Sequence, residues 1–437
     1  MRRVFALLPW VCAPLLLEAQ QPTELKAVLD RLDRLEAQNQ ALMTEIRALR
    51  QQLAVNAGPP AVQPVEERVE IAEQRIAELD QTKVSSEHRS PVALTGMLLF
   101  NAFLNGKGSA GLDNPVVVPQ TKGQAAGGGI FRQSVIGLKV NGPTVAGGGK
   151  VSGSVYMDFF GGTGLGQTVR LRVATIDTRW KNTSLGFAID KPILAPREPD
   201  SLAQVGVSPL TAAGNLWLWQ PQVRVEHRIS FGDGAGLRAQ AGVYQTSESG
   251  TGLAAVAPDL ARSRPGYQTR MEFWSESGSR RIEVAPGFHY SNTQAFQQSI
   301  PSRIFTADWL IRPAGRVDFT GAFFHGENTG VIGGLRQGVS FFGGRPRAVR
   351  ATGGWAQLTV RMTPRAWFNL FGGQQDDRNR DLDVGGIGKN QAYGANLMYR
   401  WGPNVLSSFE ASQVRTSYLG SGTRINPHYD LAFAYLF

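Results

Sequence analysis

Basic residues recur at every second position in several segments of this chain, the spacing needed to line one face of an extended strand with charge. In residues 168–177 (TVRLRVATID), Val169, Leu171 and Val173 take one face and Arg170 and Arg172 the other. In 221–230 (PQVRVEHRIS), Val223, Val225 and Ile229 oppose Arg224, Glu226 and Arg228. The same parity sets Lys139, Lys150, Arg238, Arg270 with Glu272, Arg281 with Glu283, and Arg361 on polar faces. If the apolar faces meet lipid, a charge among them would cost ~2 to 4 kcal/mol near the midplane, so the basic residues must face a lumen. Guanidinium and ammonium groups around a pore lower the barrier for anions and raise it for cations. Cross-strand pairing with Glu226, Glu272 and Glu283 would neutralise some of them.

A second pattern could do ester chemistry. His289-Tyr290-Ser291-Asn292 has the His-x-Ser-Asn order of outer-membrane phospholipases, in which histidine activates serine. Here Ile282, Val284, Phe288 and Tyr290 set the apolar face, which turns His289 and Ser291 away from the lipid on which such enzymes act. The other histidines (His88, His227, His325, His428) lack zinc-ligand spacing, and no phosphate-cradling or dinucleotide loop precedes a helix. No cofactor, metal or nucleic-acid partner is expected, and the enzyme is the lesser alternative.

These residues need elements to position them. The 437-residue chain contains 51 glycines, and beyond its first twenty residues it has no apolar run long enough for a membrane helix. A membrane protein of this composition must be a barrel. Met1-Arg2-Arg3, the apolar stretch to Leu17 and a small residue at Ala19 read as a signal peptide over 1–19. The one cysteine, Cys12, lies inside it, so the mature chain has no thiol or disulfide. Residues 1–90 hold 11 basic and 13 acidic residues, leaving 34 basic and 22 acidic to 91–437, so the basic excess belongs to the second part.

Residues 20–56 carry a heptad, with Leu25, Leu32, Asn39, Ile46 and Leu53 at one core position and Val28, Leu35, Leu42 and Leu49 at the other. This predicts an α-helical coiled coil whose Asn39 sets register, and hence a homo-oligomer. The Pro-rich segment 57–64 breaks the helix and a second short helix follows over 65–88. From Pro91 the period changes to two, predicting an all-β transmembrane barrel over 91–437 with about sixteen antiparallel strands: 92–104, 131–141, 150–160, 168–178, 183–190, 214–229, 237–246, 266–275, 280–290, 302–312, 315–325, 351–362, 365–373, 390–400, 404–417 and 425–437. Short links alternate with mostly long ones (105–130, 191–213, 247–265, 291–301, 326–350, 374–389), as in an up-and-down barrel with short periplasmic turns. An even count puts both ends of the barrel, and the coiled coil, on the periplasmic side. The third long link carries Arg197, Glu198 and Asp200 and is expected to fold inward and narrow the pore. The last strand alternates Tyr429, Leu431, Phe433, Tyr435 and Phe437 outward and ends on the aromatic, a C-terminal assembly signal.

The signal peptide, the heptads, the opening strand PVALTGMLLFNAF (91–103), the NLW…PQVRVE segment (215–226) and the terminal Phe437 together resemble the DcaP-like trimeric porins, a family related to the phosphate-selective porins. The resemblance implies a sixteen-stranded outer-membrane trimer passing small anionic solutes such as dicarboxylates. A rival reading makes the protein an envelope tether, its coil on the cell wall and its barrel an anchor in outer-membrane lipid.

Overall fold

The computed structural model describes residues 92–162, 167–232, 234–248, 257–341 and 344–437. The signal peptide, the heptad residues Leu25 to Leu53 and the second helix lie outside the described residues.

Sixteen antiparallel strands close into one barrel. They are β1 (Val92–Asn105), β2 (Ala126–Ile130 and Val135–Val145), β3 (Gly149–Gly161), β4 (Thr168–Arg179), β5 (Thr183–Asp190), β6 (Gln220–Gly232), β7 (Ala235–Thr246), β8 (Arg264–Ser277), β9 (Arg280–Ala295), β10 (Gln298–Ala314), β11 (Val317–Glu327), β12 (Arg350–Arg361), β13 (Ala366–Asp377), β14 (Ile387–Gly402), β15 (Val405–Tyr418) and β16 (Gly422–Leu436). β1 pairs with β16 from Met97↔Leu436 to Asn105↔His428, so the sheet has no free edge. β2 breaks at 131–134, where Arg132, Gln133 and Ser134 are all buried; the Leu99 amide donates to Ser134 Oγ (2.9 Å) in place of a ladder bond.

Large apolar side chains alternate outward and remain exposed, among them Phe187, Phe273, Phe305, Leu370, Phe409 and Leu431. A belt of this size around a closed sheet is stable only against lipid. Near the short-turn end the belt meets aromatics, including Tyr399 against Trp401 at 4.9 Å and Tyr435 stacked on Phe437.

Besides the second strand, expected over 131–141 but found over 126–130 and 135–145, two segments differ from the periodicity. The link expected at 291–301 is a two-residue turn: β9 runs to Ala295, β10 starts at Gln298, and Phe296 and Gln297 adopt φ of 48° and 64°. No glycine or asparagine marks this left-handed pair; instead the Phe296 ring packs edge-on against Phe341 at 5.5 Å, a contact supplied by a distant segment. The strand expected over 214–229 begins only at Gln220, because Leu216 is drawn into a buried cluster with Leu194, Ile304, Phe324 and Ile332.

Candidate pore

The segment between β5 and β6, residues 191–219, runs through the barrel interior. The Thr306 hydroxyl of β10 donates to Leu194 O (3.3 Å), Gln357 of β12 accepts from the Asp200 amide (2.8 Å), and Asn396 of β14 donates to Asp200 O (2.8 Å). Ser201 Oγ donates to Glu410 of β15 (2.6 Å), Asn101 of β1 to Leu202 O (2.9 Å), and Arg170 of β4 to Gly206 O (2.5 Å). A segment bonded to strands right round the circumference lies within it. These bonds also satisfy the strap's backbone, which has no ladder of its own there. Leu194 and Leu202 anchor it to apolar patches of the wall, Leu202 against Leu99, Met398, Ala432 and Ala434.

Arg197 joins the strap to the wall electrostatically. Its Nε donates to Asp308 (2.8 Å), it bonds Glu283, and it lies 3.6 Å from Glu272. Arg270 reaches Asp308 (2.7 Å) and Glu272 (2.6 Å), Arg238 pairs with Glu272, and Arg281 Nε with Glu283 (2.6 Å). Strand parity brings all of these wall residues onto the inward face. Glu198 pairs with Lys191 (2.5 Å) and accepts from Ser208. Burial alone would raise the Glu198 carboxyl, but Lys191 and Ser208 outweigh it and hold it below the usual range. Asp200 is open to water on one side but loses hydration against the wall, with Gln357 as its side-chain donor, and its carboxyl is pushed up.

The other basic residues named from the sequence stand as follows. Arg170 and Arg172 share Asp158 (2.6 and 3.4 Å) and lie over the Trp219 ring of the strap. Arg224 pairs with Asp190 (2.8 Å), Arg228 with Glu226 (2.8 Å) and Arg361 with Asp318 (2.5 Å). Among the described residues no ion pair involves Lys139 or Lys150, which lie on β2 and β3 toward the short-turn rim. Sequence parity missed the partners Asp158, Asp308 and Asp318, although each sits in a strand whose inward register was readable. It also missed Arg132, which pairs with Asp113 (2.5 Å) in the break of β2, where parity fails.

A cavity of about 440 Å³ lies between the strap and the short-turn rim, lined by Arg197, Arg228, Arg238, Arg281, Glu272 and Glu283, among others. Here the two most open arginines contrast with two of the acids, although Glu276, also in the lining, is exposed. The side chains of Arg228 and Arg281 are 61% and 44% exposed, whereas Glu272 and Glu283 retain 5% and 6%.

His289 Nε2 and Ser291 Oγ are hydrogen-bonded at 3.0 Å, and Gln268 approaches His289 Nδ1 at 3.2 Å. His289 and Ser291 are both buried, so the hydroxyl is closed to solvent. Among the described residues no group of three His, Cys, Asp or Glu side chains is placed to hold a metal ion.

No family model and no curated protein matches the chain. Among solved structures, the outer membrane channel DcaP of Acinetobacter baumannii aligns with a TM-score of 0.62 at 15% identity, over 80% of this chain and 99% of that one. The anion-selective porin of Comamonas acidovorans aligns with a TM-score of 0.53 at 11% identity, over 79% and 99%. At these identities the likeness is one of fold: the chain is a closed sixteen-stranded transmembrane β-barrel of porin architecture.

Proposed function

We propose that the protein is an outer-membrane porin, a passive diffusion channel for small anionic hydrophilic solutes, dicarboxylates or similar. The observation that carries this reading is the layering of charge in the lumen. Ion pairing neutralises most arginines formally, yet Glu272 and Glu283 lie beneath and the guanidinium groups of Arg228 and Arg281 face the water, with Glu276 the one exposed acid of the cavity lining. A passing solute meets a donor-rich, positive surface. The strap from 191 to 219, with Arg197, Glu198 and Asp200, acts as the constriction, and Arg170, Arg172, Arg224, Arg238, Arg270 and Arg361 support its wall. The similar solved structures include a porin described as anion-selective. β1 begins and β16 ends at the short-turn rim, so by this reading the heptads before β1 belong in the periplasm, where they join subunits in a trimer. Planar-bilayer reversal potentials under a salt gradient test it: anion preference is expected, and cation preference would refute the charge layering as the selectivity element.

A further inference from the structure

At the long-loop end of the barrel, four charged residues form one outward-facing rung across neighbouring strands. Arg303 of β10 is paired in register with Glu327 of β11, and Glu327 with Arg350 of β12. The Arg378 amide, just past β13, donates to Arg350 O (2.8 Å), which sets these two arginines side by side. Their immediate neighbours Ser302, Ala351 and Asp377 are buried on the inward face, so the rung points out. One step below it on β10, Phe305 opens the apolar belt and is among its most exposed members.

The charges within the rung are poorly balanced. Glu327 lies 3.8 Å from Arg303 and 4.0 Å from Arg350, too far for good hydrogen bonds. Two arginines directly opposite on adjacent strands repel one another. The concavity of about 520 Å³ beside them adds Arg347 and Arg380, giving four arginines against Glu327 and Asp381. Arg303 shares the outward face of β10 with Phe305 at the upper edge of the apolar belt, so an anion seated on the rung would lie directly beside that belt.

We propose that this rim patch binds the phosphate group of a lipid in the outer leaflet, the guanidinium groups of Arg350 and Arg378 taking its oxygens while the acyl chains lie on the belt near Phe305. Planar guanidinium groups suit phosphate bidentately, and each basic residue near a charged membrane surface adds about 1 kcal/mol of attraction. The inference rests on the barrel spanning a membrane as read above, but not on its solute.

The test uses the full-length protein purified in detergent and incubated with bisphosphorylated lipid A or its dephosphorylated form, with retained lipid counted by native mass spectrometry. The wild type is expected to retain the phosphorylated lipid, and R350Q/R378Q to lose at least tenfold of that retention, while R350K/R378K keeps most of it. Heat-modifiable migration on gels reports that each barrel is folded, and bilayer conductance is expected to be equal in all three. Equal retention of both lipids, unchanged retention in R350Q/R378Q, or displacement by millimolar inorganic phosphate would each overturn the proposal. Lipid retention without conductance would instead count against the porin reading and leave this one standing.

Discussion

An arginine in this lumen holds a neighbouring carboxylate and presents its remaining donors to water, and residues differ in which of the two dominates. Arg228 and Arg281 are the most open at the cavity, so R228Q/R281Q should lower the anion-to-cation permeability ratio by about two- to fivefold, in line with charged rings setting selectivity. An unchanged reversal potential would shift the selectivity element elsewhere. Arg197 is chiefly structural, bound to Asp308 and Glu283. Breaking a buried pair by removing one partner costs ~3 to 5 kcal/mol, and less here because Arg197 keeps some contact with water. Arg197→Ala should therefore loosen the strap and raise single-channel conductance. Unaltered conductance would mean that Leu194 and Leu202 hold the strap unaided.

At the scale of elements, turn chemistry and strand closure are the exposed points. Gln297 sits at φ of 64° without the glycine that such a turn favours, a conformation costing an ordinary residue ~1 kcal/mol. Gln297→Gly should raise the urea midpoint of unfolding, whereas Phe296→Gly should not, since it gives up the contact with Phe341. Closure depends on Gly96: its amide donates to Phe437 O (2.8 Å), and the Phe437 amide returns a bond to Gly96 O (3.1 Å). A Cβ at Gly96 would lie 2.3 Å from Val135 O and 2.8 Å from the Phe437 ring. Gly96→Leu should thus cut the yield of heat-modifiable barrel as strongly as deletion of Phe437. Normal assembly of the Gly96 variant would show that the terminal ring need not dock there.

On the scale of the whole molecule, charge acts collectively. The screening length falls from about 10 Å at 0.1 M salt to about 3 Å at 1 M, so anion preference should decline steeply across that range. A selectivity independent of salt would argue for size filtering by the strap. Removing residues 20–88 should leave a barrel that conducts but loses its oligomeric state, measured by light scattering; loss of conductance would tie the pore to the coil. Much of this architecture was legible in residues alone. Period-two alternation through PQVRVEHRIS or the final YDLAFAYLF needs only a lipid face and a wet face to become a strand, a local rule that each segment carries with it. The same rule puts Arg224 and Arg270 on the polar faces of their strands. What parity cannot carry is pairing between segments far apart in sequence. That Arg197 meets Asp308, that Ser201 meets Glu410, and that Phe296 rests on Phe341 depends on where closure of sixteen strands brings residues tens to hundreds of positions apart. The sequence by itself determined strands with one apolar and one polar face, and hence a barrel; tertiary structure alone decided which charges are spent on one another and which remain open to water, because burial and partner geometry arise only once the barrel has closed around its strap.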